Sequence, residues 1–247
     1  MNLSVCIDAL YMNKNFDQSV KDTKNAGFDT IEFWSWWDKD IELVEKTIEE
    51  SGVQVSTFCT KFISLVDSNQ RENYIDGLKQ SIEVAKKLNC NRLISQVGQE
   101  LTDVSRQEQK QSLVDGLKAC VPILEKENIT LLIEPLNTYV DHQGYYLSKS
   151  EEAFEIIKKI GSNHVKVLYD IYHQQITEGN IISTIENNID LIGHFHAAGN
   201  PGRHELDSGE LNYNRIFEAI DLTGYTGFVG LEYFPKADPT IGLKKLR

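Results

Sequence analysis

The chain has 247 residues, with 25 Lys and Arg against 37 Asp and Glu, a formal net charge of −12. That acidic excess argues against a broad phosphate-binding surface, because each neutralised phosphate needs a cation, and no apolar run approaches the ~20 residues of a membrane span. The length suffices for a buried core without disulfides or a structural metal. The four cysteines (Cys6, Cys59, Cys90, Cys120) form no CxxC pair, and the start MNLSVCIDALYMNKNF lacks the basic and apolar regions of a signal peptide. A reduced, cytoplasmic protein is therefore expected.

Eight apolar, β-rich runs recur along the chain. They begin near Leu3 (LSVCID), Asp29 (DTIEFW), Gln54 (QVSTF), Arg92 (RLISQVG), Thr130 (TLLIE), Val165 (VKVLYD), Leu191 (LIGHFH) and Gly227 (GFVGLE). The intervals leave room for a strand and a helix each. Phe16 to Ala26 reads as a helix stopped by Gly27. Asp40 to Ser51 puts Ile41, Val44 and Ile48 on one stripe and stops at Gly52. Glu72 to Leu88 and Val104 to Glu127 are longer helices. Ser150 opens another, with Glu151 and Glu152 in its first turn, and Asn214 to Leu222 ends before Gly224. Alternating strands and helices predict a parallel sheet. Eight units in about 250 residues predict one (β/α)8 TIM-barrel domain over residues 1–247. Few residues follow Glu232, so the eighth helix is expected to be short or missing. An open doubly wound sheet is the competitor, but no GxGxxG follows the first run.

A TIM barrel builds its active site at the C-terminal ends of its strands. Those ends carry Glu134 (strand five), Asp170 (six), His194 and His196 (seven) and Glu232 (eight). Period two places Glu134 on the face of Leu132, and Glu232 on the face of Gly230. It also turns Lys166 inward with Leu168 and Asp170, which demands a partner at the barrel bottom. Each of these residues alone has a plain explanation as a loop hydrogen-bonder, a cap or a surface ion-pair member. Together they would repel one another without a cation. Three carboxylates and one imidazole suit one divalent ion such as Mn²⁺, Mg²⁺ or Co²⁺, with Zn²⁺ as a further option. Only one imidazole is needed, which leaves His194 to support or packing. His173 stays near the same mouth. Arg203 lies in a Gly-punctuated loop, where its guanidinium could grip a substrate oxygen or pair with Glu205 or Asp207. Trp34, Ser35, Trp36 and Trp37 could form an apolar wall or lid, or pack a helix.

The stretches IEPLN with GYYLSK, YDIYHQQITEGN, NPGRHELDSGELNY and GYTGFVGLEYFP resemble the xylose-isomerase-like TIM-barrel superfamily of sugar isomerases and epimerases. Within it they most resemble hydroxypyruvate isomerases and 2-oxo-tetronate isomerases. The resemblance implies Glu134, Asp170, His196 and Glu232 as metal ligands, Glu134 and Glu232 as the acid/base pair, and His173 and Arg203 as substrate contacts. It implies interconversion of hydroxypyruvate and 2-hydroxy-3-oxopropanoate through an enediolate. Hydroxypyruvate isomerases often carry Gln at the position of His196, whereas His is usual in ketose 3-epimerases, which makes ketose 3-epimerisation the alternative. A nuclease of the endonuclease IV type shares the fold, but Gln96 stands where that family presents a His, and the chain has six His in all. A non-catalytic sugar-binding barrel is opposed by the retained carboxylate pair. The partner expected is a small molecule, with no nucleic acid and no membrane, and homo-oligomerisation is left open.

Overall fold

In the computed structural model, which describes residues 1–246, each apolar run forms a strand. These are β1 (Asn2–Cys6), β2 (Thr30–Phe33), β3 (Gln54–Cys59), β4 (Arg92–Ser95), β5 (Thr130–Ile133), β6 (Val165–Asp170), β7 (Ile192–Ala197) and β8 (Phe228–Leu231). Neighbours pair in parallel in sequence order, and β1 pairs with β8 to close the barrel. Alternation divides each strand. Leu131, Ile133, Val167, Tyr169 and Phe195 face the helices and join the main core. Leu132 and Leu168 point the other way and, with Cys59 and Ile94, form a separate apolar cluster inside the barrel, against which Trp34 packs. The four cysteines are buried and free.

Two register shifts re-aim the interior. Val167 pairs with Ile192 but Leu168 with His194, so Gly193 is an extra residue in β7. A Cβ there would lie 2.6 Å from a Leu132 methyl and 2.8 Å from Lys166 Cβ. In the same way Ser56 is extra in β3 opposite Ile31 and Glu32. The partner required by Lys166 is a backbone carbonyl: its Nζ donates to Asp190 O at 2.6 Å.

The helices are α1 (Ile7–Leu10), α2 (Phe16–Asn25), α3 (Ile41–Ser51), α4 (Arg71–Lys87), α5 (Arg106–Glu127), α6 (Ser150–Ile160), α7 (Ile171–Thr177), α8 (Ile181–Asn188), α9 (Tyr213–Leu222) and α10 (Pro239–Lys244). Caps set their limits. Asp40 accepts from the backbone N–H of Glu42 and Leu43 ahead of α3, and Gly52 closes that helix in the left-handed region at φ +66°. Ser105 and Glu108 form a reciprocal capping box, so α5 starts two residues later than the apolar pattern suggests. The β6–β7 connection holds α7 and α8, which the sequence pattern did not delimit. At six residues, α10 is the expected short eighth helix. No helix among the described residues is long and apolar enough to cross a membrane.

Candidate active site

Four consecutive strands deliver four buried side chains to the C-terminal mouth. Glu134 is the first residue after β5, Asp170 ends β6, His196 lies in β7 and Glu232 is the first residue after β8. One ligand atom from each lies within 4.8 Å of the others. His196 Nδ1 is 3.1 Å from Glu232 Oε2 and 3.4 Å from Glu134 Oε1. Asp170 uses Oδ1 to cap α7, accepting from Tyr172 N at 2.8 Å and His173 N at 3.2 Å. Its Oδ2 is left to face the cluster.

Arg203 enters this cluster from the β7–α9 loop. Its carbonyl accepts from Phe234 N at 2.7 Å, which ties that loop to the one after β8. Its guanidinium donates to Asp170 Oδ2 at 3.3 Å and to Glu232 Oε2. The neighbouring loop acids are engaged elsewhere: Glu205 accepts from Lys236 N and Asp207 pairs with Lys245. His173 is fully buried, with Nε2 3.5 Å from Asp170 Oδ2. The tryptophans divide. Trp34 Nε1 donates to Glu232 Oε1 at 2.5 Å, and Trp36 packs on α4 through Ser81 at 3.1 Å. Trp37 meets Phe62 edge to face at the surface.

Glu32 is a site residue that sequence reasoning passed over. It projects from β2 into the barrel, where its Oε2 accepts from Ser56 Oγ at 3.2 Å and pairs with His194 Nε2 at 2.9 Å. Its Oε1 lies 3.1 Å from His196 Nε2. Glu32, His194 and His196 thus form a second buried cluster with metal-capable atoms. The signal was present: Glu32, the one carboxylate inside the strand Thr30–Phe33 and in step with Thr30 and Trp34, has no reason to sit in an otherwise apolar run unless it faces the barrel interior.

The electrostatics are those of a concentrated charge cluster. Burial alone would depress the His196 imidazole, but Glu232, Glu32 and Glu134 hold it well above its ordinary value. Burial opposes ionisation of Glu232, yet Arg203 and His196 keep it well below the usual carboxylate range. Burial raises Glu134, and it raises Asp170 to about 6 despite Arg203. Glu32 is pulled down to about 2 against its burial by His196 and His194. The two glutamates at the mouth are therefore pushed in opposite directions by their surroundings.

The donor set fits a divalent cation. Both ring nitrogens of His196 are buried without a hydrogen-bond partner among the described residues, though carboxylate oxygens lie close. A lone pair on Nδ1 directed at a cation shared with Glu134, Asp170 and Glu232 would satisfy the ring and relieve the carboxylate repulsion. Three carboxylates with one imidazole form a hard to borderline site.

Known proteins carry related chains. The model of the xylose isomerase-like TIM barrel family matches residues 20–246. The hydroxypyruvate isomerase of Escherichia coli is 29% identical over 253 residues, covering 99% of this chain and 97% of that protein. The 2-oxo-tetronate isomerase of Cupriavidus necator is 45% identical over 118 residues, 48% of this chain and 45% of that protein. The crystal structure of an AP endonuclease, family 2, from Brucella melitensis superposes with a TM-score of 0.93 at 26% identity, covering 98% of this chain and 97% of the other. With the closed barrel and the cluster at its mouth, these matches show that the chain belongs to the xylose isomerase-like TIM barrel family.

Proposed function

We propose that the protein is a metal-dependent isomerase of a small hydroxy-oxo acid, interconverting hydroxypyruvate and 2-hydroxy-3-oxopropanoate, and that residues 1–247 form one TIM-barrel domain for that task. The observation that carries this reading is the meeting of Glu134, Asp170, His196 and Glu232 at one mouth, with a ligand atom of each within 4.8 Å of the rest. The similarity to hydroxypyruvate and 2-oxo-tetronate isomerases supports the substrate class.

Glu134, Asp170, His196 and Glu232 would hold one divalent ion, Mn²⁺, Mg²⁺ or Co²⁺ by donor chemistry, with Zn²⁺ as a further option. When bound, the ion supplies positive charge against the negative oxygens of an enediolate. The remaining chemistry belongs to the chain. A proton leaves the hydroxyl-bearing carbon and returns to the former carbonyl carbon, while the hydroxyl proton moves between the two oxygens. Glu134 and Glu232 act as the carboxylate pair that takes and returns the carbon-bound proton. The buried Nε–H of Arg203 has no hydrogen-bond partner among the described residues and can donate to the substrate carboxylate while Nη2 stays on Asp170 and Glu232. His173 contributes a further polar contact beside Asp170.

The test follows hydroxypyruvate, free ketoses and an abasic-site DNA duplex by NMR or gel with the Mn²⁺-loaded protein. Turnover of hydroxypyruvate or a close oxo-acid, abolished by Glu134→Gln, is expected. Turnover of ketoses alone would favour 3-epimerisation, the reading that the imidazole of His196 supports by resemblance. Cleavage of the duplex would overturn both.

A further inference from the structure

We infer that Asn137 is a positioning residue that fixes His173 as the tautomer protonated on Nε2, so that this N–H is offered to an acceptor oxygen of the bound molecule; that this molecule is a substrate rests on the isomerase reading above. Asn137 lies in the loop after β5 and is fully buried. Its Oδ1 receives the backbone N–H of Val140 at 3.0 Å and of Asp141 at 3.2 Å. A backbone N–H can only donate, so the atom facing both must be the amide oxygen, and the orientation of the amide is set. Nδ2 then has two protons to place. One goes to Asp141 Oδ2 at 2.7 Å, and the other faces His173 Nδ1 at 2.7 Å, where the Asn137 backbone N–H also donates at 3.4 Å. A donor at that distance requires a lone pair on Nδ1. The imidazole therefore carries its single proton on Nε2.

That second nitrogen points to a ligand. His173 Nε2 is buried and has no hydrogen-bond partner among the described residues, although it lies at the mouth 3.5 Å from Asp170 Oδ2. A buried donor left without an acceptor is costly, so an acceptor oxygen is wanted there when the site is in use. The ring is held in place on its flanks by edge contacts with His142 at 5.1 Å and Tyr172 at 5.3 Å between centroids. Tyr172 is braced in turn by its hydroxyl on Asp141 Oδ2 at 2.9 Å. The chain Asp141–Asn137–His173 thus delivers a hydrogen-bond donor. His173 on this account steadies a carbonyl or enediolate oxygen and does not abstract a proton.

Two-bond ¹H–¹⁵N spectra of the Mg²⁺-loaded protein labelled in its histidine rings read the tautomer directly, with His173 assigned from its loss in His173→Gln. The expected result is a proton on Nε2 and a lone pair on Nδ1. A proton on Nδ1, or a doubly protonated ring, would overturn the inference. Asn137→Asp retains the oxygen used by Val140 and Asp141 but turns an acceptor toward Nδ1 at the 2.7 Å of the amide, closer than the backbone N–H of residue 137 that stays at 3.4 Å. It is expected to move the proton to Nδ1 and to lower kcat/KM roughly 10- to 100-fold, mainly through kcat. Unchanged ring shifts and unchanged kcat in a folded Asn137→Asp protein would also overturn it. The spectra need no substrate, so a lack of hydroxypyruvate turnover would sink the isomerase reading and leave the tautomer result standing.

Discussion

At the scale of single residues, the barrel interior is built around a carboxylate that displaces ordinary side chains. Gly230 in β8 sits where a Cβ would lie 1.9 Å from Glu32 Oε1 and 2.7 Å from a His196 ring carbon. Glycine is needed here for space, not for its backbone freedom. Gly230→Ala is expected to push Glu32 off Ser56 and His194 and to destabilise the fold by about 1–3 kcal/mol. A urea-unfolding midpoint equal to that of the parent protein would contradict this packing. The residue scale also shows what was readable. Glu134, Asp170, His196 and Glu232 declare themselves because each ends an apolar run. Glu32 lies inside one, and its partner His194 is 162 positions away. No local pattern links the two.

At the scale of elements, periodicity and caps did most of the work. The bounds of α3 follow from the Asp40 cap, the Ile41–Val44–Ile48 stripe and Gly52, all visible in the sequence. The start of α5 depends on the capping box, in which Ser105 Oγ accepts from Glu108 N at 3.2 Å and Glu108 Oε2 accepts from Ser105 N at 3.1 Å. Ser105→Ala is expected to cost about 1 kcal/mol. Thermal unfolding of the variant checks this, and an unchanged midpoint would mean that packing of Leu113, Leu117 and Leu124 alone sets the helix. The β6–β7 connection was harder to read. There Asp170 serves both as the end of a strand and as the cap of α7, so the helix begins without any loop of its own. The bulges at Ser56 and Gly193 were not legible either, because a one-residue shift between strands leaves no mark on either strand alone.

At the scale of the whole molecule, closure of the barrel gathers three mouth carboxylates around His196 and Arg203. A cation that binds only the folded protein stabilises it by mass action, by about 2.7 kcal/mol at a hundredfold excess over its dissociation constant. For a chain of this size that corresponds to a rise in Tm of several degrees. Mn²⁺ added to chelator-treated protein is expected to produce such a rise, and Asp170→Asn is expected to remove most of it. An identical Tm with and without Mn²⁺, Mg²⁺, Co²⁺ or Zn²⁺ would argue against a metal centre at this mouth.

What the sequence determined by itself was the architecture and the rim. Eight apolar runs with helical intervals admit few alternatives, because strand and helix periods are local properties of the chain. The carboxylates at the strand ends were placed by the same local count. Only the tertiary structure decided how these groups are supported. It placed Arg203 between Asp170 and Glu232 instead of beside Glu205 or Asp207, Glu32 beneath His196, and Asn137 against His173. Those relations depend on the register of neighbouring strands and on loops that cross the mouth. They join residues far apart in the chain through directional contacts that residue type and spacing do not encode.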